Sequence, residues 1–174
     1  MPIMDGFNLD AFRANLNVGA RSYLFYMLPN FPYGGDARTS GLLVRSTTLP
    51  ASTIEEAAIP WQGYTYRIGS KQTFADWTVN FTLDSPDKVR LEYLRWMQKI
   101  HNPSTNVHDI PKNYLADQQV ELLTPDGAGT VALYKLVGAW PSSVSEVTLD
   151  YSQSDIATFS VTYKYQYHEI DEVT

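Results

Sequence analysis

Three histidines and a scattering of aspartates are the residues of this chain whose types could do chemistry. Their spacing speaks against it. His101, His108 and Asp109 would make a partial metal site, but they fall in a polar connector and lack a fourth ligand at a recognised zinc spacing. Asp76 and Asp84 share one face of an alternating segment, where their separation is roughly 27 Å at full extension, too far for a paired acid and base. Gly127-Ala128-Gly129 leads into a strand rather than a helix, so it does not cradle a phosphate. Asn80-Phe81-Thr82 matches a glycosylation triplet only formally. It lies mid-strand, and Met1–Asp10 has neither the basic start nor the apolar core of a secretion signal. His168 falls on the polar face of the last alternating run and is expected to be solvated. There is no G-x-S-x-G elbow and no H-E-x-x-H pair. The expectation is no enzyme, no metal and no cofactor.

The segments that carry these residues are more telling. From Ala75 to Asp84 the odd positions are Ala75, Trp77, Val79, Phe81 and Leu83, and the even ones Asp76, Thr78, Asn80, Thr82 and Asp84. From Ile156 to His168 the odd positions run Ala157, Phe159, Val161, Tyr163, Tyr165 and Tyr167. The even ones are Ile156, Thr158, Ser160, Thr162, Lys164, Gln166 and His168. Strand side chains alternate between faces, so each segment predicts one packed face and one wet face. The wet faces are mainly Thr, Ser, Asn and Gln, where ordinary solvent-facing strands carry more Lys and Glu. Such a surface could line a water-filled passage; two half-buried strands of an antiparallel sandwich would alternate in the same way.

Further strands are expected over Tyr23–Leu28, Leu42–Thr47, Ser52–Ile59, Gly63–Ile68, Gln118–Leu123, Val131–Val137 and Val144–Leu149. Pro60 divides the third from the fourth, where Tyr64, Tyr66 and Ile68 share a face, and Gly69-Ser70 turns into the strand ending at Asp84. Pro29–Ser40, with two prolines and a glycine pair, predicts a long loop presenting Phe31 and Tyr33. One helix is predicted over about 85–101. Ser85 suits the N-cap, Pro86 the first helical position and Asp87 the positive end of the dipole. Val89, Tyr93, Trp96, Met97 and Ile100 form its apolar stripe, and Asn102-Pro103 ends it. His101 to Tyr114 is expected as a polar connection, Thr124 to Gly129 as a hairpin loop, and residues 1–20 as an adaptable arm.

A length of 174 residues fits one domain, able to bury roughly 70% of its unfolded surface without a staple. The absence of cysteine removes disulfide frameworks and thiolate metal sites. A formal charge of −6 disfavours a dedicated nucleic-acid-binding surface. No run approaches the ~20 apolar residues of a membrane helix. Twelve tyrosines and four tryptophans suit extensive protein interfaces. A soluble protein made in the cytoplasm is expected.

Two ordered blocks stand out. The first is Thr48-Leu49-Pro50-Ala51 with Ile54-Glu55, then Gly69, then Thr73-Phe74-Ala75-Asp76-Trp77-Thr78-Val79. The second is Ala139-Trp140-Pro141-Ser142-Ser143-Val144, then Leu149-Asp150-Tyr151, then Ile156-Ala157-Thr158-Phe159-Ser160-Val161-Thr162. Together they resemble the tail tube protein of contractile-tailed bacteriophages, the myovirus tail tube family, which is related to type VI secretion and bacteriocin tube proteins. Order and spacing agree over about Thr48 to Tyr167, with one helix between the blocks.

The resemblance implies a mainly β fold: a β-sandwich or barrel subunit, here a single tail-tube domain over 1–174, with one flanking helix. Six subunits would close a continuous β-barrel ring, and the rings would stack into the inner tube of a contractile tail, the conduit for genome ejection. The implied place is the virion tail, after synthesis in the bacterial host cytoplasm. Implied partners are further copies of the chain, the tail sheath protein, the tape-measure protein and double-stranded DNA in the lumen, and a baseplate initiator, without membrane insertion. On this reading Asp76, Thr78, Asn80, Thr82, Thr158, Ser160, Thr162, Lys164 and Gln166 are candidates to face the lumen, with Lys164 an unexplained positive ring. Phe31, Tyr33, Asp36 and Arg38 are candidates for contact between rings. The alternatives are a baseplate tube initiator, a type VI secretion or bacteriocin-type tube, or, in a different class, an aromatic-rich β-sandwich that binds a ligand.

Overall fold

In chain order the elements are β1 (Phe25–Leu28), α1 (Ala37–Leu42), β2 (Val44–Thr47), β3 (Ser52–Trp61), β4 (Tyr64–Phe74), β5 (Trp77–Thr82), α2 (Lys88–Ile100), β6 (His101–Asn102), β7 (Val107–His108), α3 (Pro111–Tyr114), β8 (Ala116–Leu123), β9 (Thr130–Val144), β10 (Thr158–Lys164) and β11 (Tyr167–Glu172). This computed structural model describes residues 9–10, 13, 19–152 and 154–172, so most of the expected arm over 1–20 lies outside the described residues.

Seven strands form one sheet: six follow the path β1-β8-β9-β10-β5-β2, and β11 also pairs with β9. The mainly β expectation holds. The ends of the path, β1 and β2, do not pair, so the single chain is not a closed barrel. A cleft of about 430 Å³ separates them, lined by Tyr23, Tyr26, Val44 and Ser46 among others.

The two alternating segments are neighbours. Phe159 pairs with Phe81, Val161 with Val79 and Tyr163 with Trp77, while Ser160 pairs with Asn80 and Thr162 with Thr78. Apolar thus meets apolar on one face and polar meets polar on the other. The apolar face is fully buried, and α2 lays Val89, Tyr93 and Trp96 on it. Trp77 donates its indole N–H to the Thr48 carbonyl at 2.7 Å, and Trp96 donates to that of Tyr114 at 3.0 Å. Buried indole N–H groups need such partners.

Deep in this core the Tyr163 hydroxyl donates to that of Tyr93 at 2.7 Å. Burial pushes the phenol pKa of both upward, so both stay neutral. Tyr163→Phe is expected to cost about 1–3 kcal/mol, because it strands a buried hydroxyl. Adding Tyr93→Phe should restore most of that loss; a double-mutant cycle followed by urea unfolding measures it.

Several element boundaries depart from the sequence expectation, each for a local reason. The helix begins at Lys88, not Ser85. Asp87 precedes it with φ 50° and makes no side-chain cap. The Asp84 carboxylate instead accepts from the Lys88 N–H at 3.1 Å, and its carbonyl from Asp87 N–H at 2.9 Å, so Ser85-Pro86 is a turn. The predicted strands at 131–137 and 144–149 are replaced by one fifteen-residue strand ending at Val144. Gly138, at φ 62°, lets β9 bend there: its N–H donates to Asp117 Oδ1 at 3.0 Å, and a Cβ would lie 3.1 Å from the Gln166 side chain. Opposite that bend the last predicted strand breaks, where Gln166 N–H bonds the Val137 carbonyl. The chain then re-enters the sheet as β11, which pairs along Val137 to Ala132. The alternation therefore does not run through: Tyr167 is exposed, and His168, expected to be solvated, is half-buried with its ring edge-on to Phe74 at 5.3 Å.

The predicted loop over 29–40 is shorter, since α1 occupies Ala37–Leu42 with Asp36 as N-cap, its carboxylate accepting from Thr39 N–H and Oγ1. The polar connector holds the small β6–β7 hairpin and one turn of helix. Its His101 and His108 rings stack at 4.1 Å instead of converging on a common point. Among the described residues no group of three or more metal-ligating side chains occurs.

Candidate assembly interface

The polar faces of β5 and β10 form one surface. Thr78 and Thr162 hydroxyls meet at 3.3 Å, Asn80 donates to Ser46 Oγ at 2.9 Å, and Ser160 N–H donates to Ser145 Oγ at 2.9 Å. Thr78, Asn80, Thr82, Thr158, Ser160 and Thr162 therefore share a face, opposite the core and α2. Lys164 is not an isolated cation: its ammonium lies 2.8 Å from Asp76 Oδ1, at the end of these rows. Gln166 lies past the strand end, against Gly138, and does not join them.

The second feature was misread at sequence level. β3 and β4 form a two-stranded hairpin that pairs with no other strand among the described residues. Ten residues of strand extend it roughly 30 Å. The turn is Gln62-Gly63, with φ 44° and 85°, as a two-residue hairpin loop requires. β4 continues through Gly69-Ser70, where a turn was expected, with a shift of register against β3 in place of a chain reversal. Pro60 sits inside β3 instead of dividing two strands. It is tolerated because β3 has an open edge, where a missing N–H breaks no ladder.

The register decides what the hairpin presents. Trp61 pairs with Tyr64, Ile59 with Tyr66 and Ala57 with Ile68, so all six lie on one face. Trp61 is 66% exposed, Tyr64 80% and Tyr66 65%. The other face carries Pro60, Ala58, Glu56, Thr65 and Arg67, with Arg67 3.5 Å from Glu56. A contiguous apolar stripe of this size on an unpaired hairpin marks a protein contact surface. Tyr64, Tyr66 and Ile68 could be read as one face from sequence; their partners on β3 could be found only from the Gln62-Gly63 turn.

The loop before α1 behaves differently from expectation. Gln118, fully buried, accepts from Asn30 N–H at 3.0 Å and donates to its carbonyl at 2.9 Å. Phe31, expected as an exposed anchor for a neighbouring ring, packs within its own protomer, 5.0 Å from the Tyr93 ring and 6.0 Å from that of Trp96. Tyr33 donates to the Asp109 carboxylate; partial burial and that carboxylate push its phenol up to about 12, and the same bond holds Asp109 below the usual carboxylate range. Asp36 caps α1 and lies 3.4 Å from Lys88. Of these four residues Arg38 alone is exposed without a recorded partner, among the described residues. The loop is a brace between β8, α2 and the connector.

An amphipathic hairpin stands beside a sheet whose one face is polar and uncharged and whose other face is covered by α2. The family model for phage tail tube protein matches residues 31–171. The chain belongs to the phage tail tube protein family. Tail tube protein gp19 of Enterobacteria phage T4 is 26% identical over 127 residues, covering 72% of this chain and 78% of that one. The gp19 of Enterobacteria phage T6 matches with the same identity and coverage. Among solved structures, a chain of the sheath–tube complex of the PVC extracellular contractile injection system in its extended state superposes with a TM-score of 0.69 at 15% identity, over 93% of this chain and 97% of that chain. A chain from the anti-feeding prophage cap gives 0.69 at 13% identity, over 88% and 91%. The family match runs from the loop before α1 into β11, and the likeness in fold covers 88–93% of the chain.

Proposed function

We propose that this protein polymerises as stacked hexameric rings into the inner tube of a contractile tail and forms the conduit for genome ejection. The observation that carries this is the hairpin: a tail tube family member holds six apolar residues on one face of an arm that, among the described residues, pairs with no other strand. Burying that face against neighbouring subunits supplies the driving force for assembly, at about 25 cal/mol per Å² removed from water. The open strands β1 and β2 offer further edges for pairing between subunits.

On this reading Thr78, Asn80, Thr82, Thr158, Ser160 and Thr162 line the lumen. Hydroxyls and amides keep a wall wet without holding phosphates. α2 then faces outward, carrying Lys88, Arg95 and Lys99 on exposed positions. A sheath–tube complex shares the fold, which supports a tail sheath as the outer partner. The tape-measure protein and double-stranded DNA are the expected occupants of the lumen, a baseplate initiator the expected start of the tube, and the virion tail the expected location.

Electron microscopy of the purified protein, concentrated at moderate salt, tests the assembly. Stacked six-fold rings with an open centre are expected. A monomer at every concentration, with or without a tube initiator, would contradict it. Ser160→Lys tests the wall: tubes should still form, and a phage carrying the substitution should release its DNA more slowly. Unchanged ejection would place Ser160 elsewhere than the lumen.

A further inference from the structure

We propose that Asp76 acts as a charge-cancelling residue of the channel, keeping Lys164 from turning the wall into a binding site for polyanions. The inference rests on the tube reading above and on the β5–β10 polar face lining the lumen.

The rows Asn80–Ser160 and Thr78–Thr162 carry no formal charge, and neither do their flanking Ser46 and Ser145. Lys164 follows Thr162 two positions along β10, so it continues the row of Thr158, Ser160 and Thr162, half-exposed to solvent. Arg45, at the irregularity of β2, lines a cleft together with Thr158 of this face and with Glu146, Asp150 and Asp155, three carboxylates against its one cation. Asp76 comes from another place in the chain, the two-residue step between β4 and β5, 88 positions away in sequence, and puts a carboxylate oxygen 2.8 Å from the ammonium.

An exposed pair of this kind adds little to stability, about 0–1 kcal/mol, so its consequence lies in charge rather than in holding the fold. In a ring the consequence multiplies. Removing the carboxylate would leave one unpaired ammonium per subunit, repeated around each ring and again in every ring of the stack. A polyanion in the lumen would then release counterions along its whole length and bind with steep salt dependence. Screening confines the effect to about 8 Å at physiological salt, which is the layer a passing phosphate backbone occupies.

The test compares tubes of the wild type, Asp76→Asn and Asp76→Asn/Lys164→Gln, with assembly checked by electron microscopy and retention of short duplex DNA measured by co-sedimentation. At about 50 mM salt, Asp76→Asn tubes should retain at least about tenfold more DNA than wild type, and lose it towards about 200 mM. The double variant should return to the wild-type level; the cations of α2 are the same in all three and cancel. Retention by Asp76→Asn equal to wild type, or by the double variant equal to Asp76→Asn, overturns the proposal. If the pure variant does not assemble, tubes mixed from wild-type and Asp76→Asn chains serve instead, and retention must rise with the variant fraction. Failure of the wild type to form open-centred rings is a separate result, one that removes the tube reading itself.

Discussion

Trp61→Glu combined with Tyr66→Glu is expected to yield a folded protein that no longer forms tubes. Both side chains are about two-thirds exposed in the single chain and touch no core residue, so the monomer should lose no more than about 0.5 kcal/mol. In the assembly they are large aromatic side chains of an apolar stripe, Trp61 in the row beside the turn and Tyr66 in the middle row, of the type from which interfaces draw most of their energy. Truncating one such residue commonly costs 2 kcal/mol or more. Two carboxylates on that stripe also bring charge into a desolvated contact. Every subunit bears the change, so the concentration needed for assembly should rise by two orders of magnitude or more. Circular dichroism and urea unfolding should match wild type, while sedimentation and electron microscopy show no tubes. Thr65→Glu, on the hairpin's other face, is the control and should assemble far better. Tubes from the double variant at wild-type concentration would remove the stripe from the interface.

Trp77→Ala is expected to be the most damaging single substitution for the fold. The side chain is 1% exposed, its ring lies 5.2 Å from that of Tyr163, and its N–H satisfies the Thr48 carbonyl. Emptying that volume should cost about 3–5 kcal/mol. That is a large fraction of the 5–15 kcal/mol of a typical domain. Trp77→Phe should fall between, keeping part of the ring contact while losing the hydrogen bond to Thr48. Urea unfolding gives both values; a loss below about 1 kcal/mol for the alanine variant would mean that the core closes over the gap.

Much of the core was legible in the residues. The alternation of Trp77, Val79 and Phe81, and of Phe159, Val161 and Tyr163, names the buried faces of β5 and β10 without reference to any partner, because the two-residue period of a strand is local. The stripe Val89, Tyr93 and Trp96 likewise names the buried side of α2. The two blocks around Leu49-Pro50 and Trp140-Pro141 were enough to point to the tail tube family, and the match over residues 31–171 bears that out.

What only the tertiary structure decided are the places where a long-range partner overrides a local signal. Phe31 reads as an exposed aromatic in a proline-glycine loop until Gln118 fixes Asn30, 88 positions from it, and the ring packs on Tyr93. Lys164 reads as a lone charge until Asp76 is brought beside it. Pro60 and Gly69-Ser70 read as breaks, yet β3 and β4 run through both. Pro60 is tolerated on an open edge, and the register that places Trp61 beside Tyr64 follows from the Gln62-Gly63 turn. Periodicity assigns a residue to a face from its own neighbours in sequence. What lies against that face depends on segments the chain brings in from a distance, and the hairpin stripe stays exposed among the described residues.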